Sequence, residues 1–156
     1  MLETGDRAPD FTLPTDAGDK VILRKLKGLP VVLFFYPKDD TSGCTAEAKS
    51  FTEFAPDFAA AGAKVIGISP DSASSHAKFK SKHGLDVVLA ADEEKSVVEA
   101  FGVWVEKSMY GRKYMGVERS TFLIDPKGRI AAVWRKVKVP GHAAEVLKAV
   151  RKLAGT

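Results

Sequence analysis

The sequence contains very little cysteine: one residue, Cys44, among 156. A single thiol excludes an intrachain disulfide and leaves no cysteine cluster for a metal ion. The three histidines are scattered without the spacing of metal ligands. We expect each of them to lie on the surface of a helix or loop: His76, His83 and His142. The sequence therefore predicts no metal centre.

Long apolar runs and a strong surplus of one charge are also missing. No stretch approaches the roughly 18 apolar residues of a membrane-spanning helix. The polar, acidic residues 1–11 lack the basic and apolar segments of a secretory signal. Lys and Arg outnumber Asp and Glu by 24 to 20, a surplus too small to indicate nucleic-acid binding. We expect a cytoplasmic protein that binds neither membranes nor nucleic acid and whose thiol stays reduced.

The pattern of apolar residues predicts an α/β fold. A length of 156 residues is typical of one domain, which we expect to span residues 1–156. Apolar stretches typical of strands alternate with helical patterns, and the strands are predicted at 29–37, 63–71, 86–92 and within 120–134. Two short apolar pieces around a turn at 10–23 predict an N-terminal β-hairpin, and the basic segment 111–116 is interpreted as a surface turn. Together, the predicted strands and helices indicate a central mixed sheet with helices on both faces.

Cys44 lies where this fold places chemistry. It follows the most apolar predicted strand, 29–37, and stands at the start of a helical pattern. Functional residues of such sheets collect at the carboxyl ends of the strands. The unpaired N–H groups of a helix N-terminus also favour a thiolate over a thiol. The alternative is a buried structural thiol, since a lone cysteine usually acts as a small apolar core group.

Three neighbours of Cys44 have two interpretations each. Thr41 has a hydroxyl that can donate and accept, which suits both a bound substrate and a simple helix cap. Pro37 removes a backbone donor and shields the loop, or it simply ends the strand. Glu47 follows Cys44 by one helical turn; an ordinary surface carboxylate is favoured over a role in tuning the site.

Taken together, Pro37, Thr41 and Cys44 form the pattern Pro-x-x-x-Thr-x-x-Cys, which resembles the active-site signature of the peroxiredoxins. The segment 101–125 resembles the corresponding region of the peroxiredoxin Q subfamily, also called bacterioferritin comigratory protein. The resemblance extends over almost the whole chain. It implies a thioredoxin-like fold and a thiol peroxidase that reduces hydrogen peroxide and organic hydroperoxides without a metal or other cofactor.

The resemblance also implies roles for single residues. Cys44 matches the peroxidatic cysteine, Thr41 the threonine that orients the peroxide, and Arg119 the arginine that lies against the sulfur. Without the resemblance, an arginine at the start of a strand is usually a solvated surface charge. A guanidinium is nevertheless suited to this task, because it is permanently charged and presents a planar fork of donors.

The chain departs from the family pattern in its second cysteine. Many members have a resolving cysteine five residues after the first, where this chain has Lys49, and others have it on the next helix. Proline is common in the family at the position of Ser42. We therefore expect a one-cysteine cycle in a monomer or weak homodimer, resolved by thioredoxin, glutaredoxin, glutathione or the cysteine of a second copy. The alternative function is a peroxide sensor or holdase that turns over poorly.

Overall fold

The computed structural model describes residues 1–154 and contains a five-stranded central sheet. Its order is β5-β4-β3-β8-β9, formed by β3 (Val31–Phe35), β4 (Lys64–Ser69), β5 (Val88–Ala91), β8 (Ser120–Ile124) and β9 (Ile130–Trp134). Strands β3, β4 and β5 are parallel, whereas β8 is antiparallel to β3 and to β9. The predicted mixed sheet is therefore confirmed.

The central strand β3 is buried along its whole length, as its unbroken apolar sequence predicts. Successive side chains of a strand point to opposite faces of the sheet. Val31, Leu33 and Phe35 accordingly join one hydrophobic cluster, while Val32 and Phe34 join the other. The sheet thus separates two cores, one on each face.

Helices cover both faces, as the sequence predicts. The core that contains Phe34 receives side chains from α1 (Ser42–Glu53), α2 (Ala55–Ala60), α3 (Ala73–His83) and α5 (His142–Leu153), and the opposite core receives them from α4 (Ser96–Ala100). Pro56 lies in the first turn of α2, where a proline is tolerated, so the chain begins a new helix there. Within residues 1–154, no helix is long and apolar enough to cross a membrane.

Two hairpins lie outside the central sheet. The N-terminal hairpin, β1 (Thr12–Pro14) with β2 (Lys20–Ile22), is confirmed and leads into a short 3₁₀-helix, Leu23–Leu26. A second hairpin consists of β6 (Trp104–Met109) and β7 (Arg112–Val117).

The interpretation of 111–116 as a surface turn is wrong, because most of it lies in β7. Only Tyr110 and Gly111 form the turn, with φ of 51° and 77°. Positive φ at both positions is the requirement of a two-residue type I′ hairpin turn. The strands were missed because most of β7 and the tip of β6 are exposed, so no buried apolar alternation marks them.

Candidate active site

Cys44 is the third residue of α1, directly beyond the carboxyl end of β3. The loop that joins the two elements comprises residues 36–41 and is called the active-site loop below. The first helical hydrogen bond runs from the N–H of Thr45 to the carbonyl of Thr41. The N–H groups of Ser42, Gly43 and Cys44 precede it and therefore have no partner within the helix. The positive end of the dipole of α1 therefore lies near Cys44, and the first turn contains no acidic residue that would offset it.

The thiol of Cys44 is buried but has a charged neighbour. The residue is 1% exposed and packs in the same core as Phe34 and Phe51. Arg119 Nη2 donates to Cys44 Sγ at 3.4 Å. A purely structural core thiol has no need of a guanidinium, so this contact distinguishes Cys44 from the buried apolar cysteine of the alternative interpretation.

Strand pairing brings Arg119 to the cysteine. Arg119 immediately precedes β8, and the antiparallel pairing of β8 with β3 places Ser120 opposite Phe35. The start of β8 therefore lies at the end of β3 where the active-site loop begins. Local sequence patterns do not reveal this register, so the position of Arg119 was expected only from the family resemblance.

Gly43 allows the guanidinium to lie over the first turn of α1. A Cβ atom built at Gly43 would stand 3.1 Å from Arg119 Nη2, closer than ordinary van der Waals contact. The guanidinium would have to move by a few tenths of an ångström to accept it. The residue before the cysteine thus has a steric reason to lack a side chain.

Glu47 shares the guanidinium with the cysteine. Its Oε1 accepts from Arg119 Nη1 at 2.8 Å, while its Oε2 is buried and has no hydrogen-bond partner among the described residues. The expectation of a surface carboxylate is wrong: Glu47 is 1% exposed, because it lies on the same face of α1 as Cys44. Burial raises the pKa of Glu47 to about 7, against the opposing effect of Arg119.

Two neighbours, Glu47 and Cys44, stabilise the positive charge of Arg119. Burial would lower the pKa of Arg119, but Glu47 and Cys44 outweigh it and raise that pKa above its ordinary value. The guanidinium is therefore a permanent cation between an acid that titrates near neutrality and the sulfur.

Lys107, on β6, is a site neighbour that the sequence analysis missed. Burial and the charge of Arg119 lower the pKa of Lys107, while Cys44 and Glu118 act in the opposite direction. The β6–β7 hairpin thus brings a lysine within electrostatic range of Arg119 and Cys44. No motif marks this lysine; its proximity depends on a hairpin whose strands are not evident from the sequence.

The two remaining predicted residues belong to the active-site loop. Pro37 is half-buried and follows β3 by two residues. Thr41 is the exposed N-cap residue of α1, but its side chain makes no capping bond. Its hydroxyl instead donates to the carbonyl of Lys38 at 2.8 Å, so neither a side-chain cap nor a hydrogen bond to Sγ forms in this structure.

The histidines are less exposed than expected. His76 is 0% exposed and His142 is also buried, so the expectation of surface positions is wrong for both. His142 Nε2 lies 2.8 Å from the hydroxyl of Thr121. Burial, with a smaller contribution from the charge of Arg119, lowers the pKa of His142 to about 4. The ring is therefore neutral at neutral pH.

One group of side chains in residues 1–154 brings possible metal ligands together, which the sequence spacing did not indicate. Atoms of Asp39, Asp71 and His76 lie within 4.8 Å of one another. Several donors already point at these carboxylates: the hydroxyls of Tyr36 and Ser69 and the N–H of Asp39. The group is thus a network of hydrogen bonds rather than a set of free ligands.

The sequence profile of the AhpC/TSA family matches residues 4–133. This chain belongs to the AhpC/TSA family. Within it, the chain is 52% identical over 146 residues to the putative peroxiredoxin bcp of Coxiella burnetii, covering 94% of this chain and 97% of that protein. It is 49% identical over 153 residues to the peroxiredoxin Bcp of Bacillus subtilis, covering 98% of each.

A solved structure of a relative has the same fold as this chain. The bacterioferritin comigratory protein of Xanthomonas campestris, studied for alkyl peroxide reduction through trapped intermediate and ligand complexes, superposes with a TM-score of 0.90. It is 43% identical, and the match covers 99% of this chain and 98% of that one. The fold is thus thioredoxin-like, and the chain is a peroxiredoxin of the Bcp/peroxiredoxin Q type, an enzyme that reduces peroxides by means of a thiol.

Proposed function

We propose that Cys44 is the peroxidatic nucleophile of this peroxiredoxin, assisted by Arg119 and Thr41 and followed by a one-cysteine cycle. The observation that carries the proposal is the 3.4 Å contact between Arg119 Nη2 and Cys44 Sγ at the N-terminus of α1. A guanidinium and a helix N-terminus both favour the thiolate, the form of cysteine that attacks.

The reaction is a displacement on oxygen. The Cys44 thiolate attacks one peroxide oxygen, a sulfur–oxygen bond forms, and the O–O bond breaks. The sulfur is oxidised to a sulfenic acid, and the other peroxide oxygen leaves as hydroxide or alkoxide, which takes up a proton to give water or an alcohol. A free thiol with a pKa near 8.5 is already about 3% ionised at neutral pH, so full ionisation alone gains only about 30-fold. Positioning and charge stabilisation must supply the rest of the acceleration.

Thr41 and the backbone supply the positioning. Because the Thr41 hydroxyl donates to Lys38, its oxygen lone pairs remain able to accept the O–H of a peroxide. The N–H groups of Gly43 and Cys44 and the fork of Arg119 are the donors for the oxygen that gains negative charge. Pro37 offers no N–H group and limits access of water to the loop.

Thiols from outside the chain complete the cycle. Cys44 is the sole cysteine, so its sulfenic acid forms a mixed disulfide with an external thiol and releases water. A second thiol then restores Cys44. Because Cys44 is 1% exposed, the first turn of α1 must open before a bulky thiol reaches the sulfur. Glutathione, glutaredoxin and thioredoxin are the candidate reductants.

Because the cycle needs an external thiol, we propose a cellular compartment that supplies one. The chain works as one domain, as a monomer or weak homodimer, in a compartment such as the cytoplasm where thiol reductants are abundant. Hydrogen peroxide and organic hydroperoxides are the substrates, and the alkyl peroxide reduction of the X. campestris relative supports the second class.

Steady-state peroxide consumption tests the proposal. The parent protein should turn over repeatedly with at least one of three reductants: dithiothreitol, glutathione with glutaredoxin, or a thioredoxin system. Cys44→Ser should consume no peroxide above background, because the nucleophile is gone. Consumption by Cys44→Ser at the parent rate would refute the assignment, and one stoichiometric oxidation of the parent in all three systems would instead favour a peroxide sensor.

A further inference from the structure

The active-site loop, residues 36–41, has a conformation that needs external support. It contains Pro37 and Thr41 and has no regular secondary structure. Asp40 adopts φ of +61°, a left-handed conformation that an aspartate tolerates but does not favour. Strained backbone persists at functional sites only where the surrounding structure holds it in place. The contacts of this loop with the rest of the molecule are therefore informative.

Asp39 fastens the middle of the loop to α3. Its Oδ2 accepts from the hydroxyl of Ser75 at 2.8 Å and lies 2.7 Å from His76 Nδ1. Its Oδ1 accepts from the hydroxyl of Tyr36 at 2.6 Å, and its N–H donates to Asp71 at 2.8 Å. Both Asp39 and His76 are buried, so these bonds form away from competing water.

His76 contacts two different segments through its two ring nitrogens. Its Nε2 lies 3.0 Å from the carbonyl oxygen of Ala90, and a carbonyl only accepts. The other nitrogen, Nδ1, faces the carboxylate of Asp39. Burial would raise the pKa of Asp39, but hydrogen bonds from His76 and Tyr36 hold it below its ordinary value. The histidine thus links the loop to β5, and the carboxylate of Asp39 makes the contact on the loop side a charge-assisted one, which is stronger than a contact between neutral groups.

The end of the same helix holds the next loop residue. Asp40 Oδ2 accepts from Lys82 Nζ at 2.6 Å, and Asp40 Oδ1 lies 2.7 Å from His83 Nε2. This pair is exposed, so its contribution is smaller than that of the buried network. Two consecutive loop residues are nevertheless both held by α3.

From these contacts we infer that α3 positions the active-site loop for catalysis, through Ser75 and His76 acting on Asp39. None of the three touches the sulfur; they are positioning residues that hold the active-site loop so that Thr41 can orient the peroxide. The inference rests on the proposed role of Thr41 in orienting the peroxide. Loss of the network should therefore slow attack on peroxide without slowing reactions that need no peroxide alignment.

Two rate constants of the reduced full-length protein distinguish these effects. The first is the second-order rate constant for oxidation of Cys44 by hydrogen peroxide in a single turnover. The second is the rate of Cys44 alkylation by iodoacetamide, which depends on thiolate content and access but not on Thr41. We expect His76→Gln to lower the first by about 10- to 100-fold, since small misplacements are costly, and to leave the second within about twofold.

A milder set of variants keeps the test valid if His76→Gln does not fold. Ser75→Ala removes one hydroxyl from the network and should slow peroxide attack about threefold to tenfold, while Ser75→Thr retains the hydroxyl and should restore the rate. Ser74→Ala, on the exposed side of the same helix turn, is the matched control and should match the parent. Equal falls in both rate constants, or a peroxide rate of Ser75→Ala equal to that of Ser74→Ala, would overturn the inference. The proposed function is tested separately, by the loss of peroxide consumption in Cys44→Ser. Failure of this inference would leave that result unchanged, so the two failures are distinguishable.

Discussion

At the scale of single residues, Arg119 connects the two acidic groups of the candidate site, because one guanidinium contacts both. Its Nη1 binds Glu47 and its Nη2 binds Cys44. Any change that moves the fork or alters the charge of Glu47 therefore also changes the environment of the sulfur. Two substitutions separate these effects, one steric and one electrostatic.

Gly43→Ala tests the steric effect. The new Cβ would stand 3.1 Å from Arg119 Nη2 and displace it by a few tenths of an ångström. We expect the rate constant for oxidation of Cys44 by hydrogen peroxide to fall roughly fivefold. The free energy of unfolding should stay equal or rise, because alanine favours a helix over glycine by up to ~1 kcal/mol. Stopped-flow kinetics and urea denaturation measure the two quantities.

Lys49→Ala is the control for this substitution, since it introduces alanine at an exposed position of the same helix, away from Arg119. It should leave the peroxide rate unchanged. A Gly43→Ala protein as fast as Lys49→Ala would show that the position of the guanidinium does not limit the reaction.

Glu47→Gln tests the electrostatic effect through the pH dependence of stability. The pKa of Glu47 is raised from 4.5 to about 7, so between these values the folded protein binds more protons at Glu47 than the unfolded chain does. Its contribution to stability is complete below pH 4.5 and is lost as the pH rises through about 7. Replacing it with the non-titrating glutamine should reduce the loss of stability over this range.

Urea denaturation of both proteins at about pH 5 and about pH 8 measures this difference. His142 contributes with the opposite sign, since its lowered pKa of about 4 makes stability rise with pH toward its ordinary value of 6.5. That contribution is common to parent and variant, so it cancels in the comparison. Parallel pH profiles of the two proteins would contradict the raised pKa of Glu47.

At the scale of secondary structure, the core behind α1 depends on a close approach between strands. Gly67 of β4 pairs with Phe34 of β3 and with Leu89 of β5. A Cβ at Gly67 would lie 2.6 Å from Phe34 Cζ. The Phe34 ring stacks on Phe51 of α1, with centroids 4.6 Å apart, so the packing of this strand reaches the helix that bears Cys44.

Gly67→Ala should therefore destabilise the protein by about 1–3 kcal/mol, the usual effect of overpacking a rigid core. Gly116→Ala is the matched control, because the nearest atom to its Cβ, at 3.2 Å, belongs to the flexible side chain of Lys107. Chemical denaturation of both variants measures the difference. Equal stabilities would show that the Phe34 ring can move aside at little cost.

The sequence predicts a strand or helix well where one face or the whole of the element is buried, because burial produces a recognisable pattern of apolar residues. The continuous apolar stretch at 29–37 predicts β3 correctly. The β6–β7 hairpin was missed because exposed strands show no apolar alternation. Local pattern also gave no sign that His76 is buried, since its burial depends on partners from two other segments, Asp39 and Ala90.

At the scale of the whole molecule, the site is a product of sheet topology. Cys44 and Thr41 come from one segment, whose pattern Pro-x-x-x-Thr-x-x-Cys resembles the active-site signature of the peroxiredoxins. Arg119 reaches them only because β8 pairs antiparallel with β3. Long-range register of this kind is not encoded in local periodicity, which is why only the family resemblance anticipated it. The absence of a second cysteine, in contrast, is visible in the sequence, and the proposed one-cysteine cycle rests on it.

We expect the attack on peroxide to depend on Arg119, which the sheet brings to Cys44. The most direct test of this dependence is the second-order rate constant for oxidation of Cys44 by hydrogen peroxide in Arg119→Ala, with folding checked by circular dichroism. Removing a charged donor to the reacting oxygen should lower this constant by at least about 100-fold relative to the parent. A folded Arg119→Ala protein that reacts within about twofold of the parent rate would show that the attack on peroxide does not need the guanidinium.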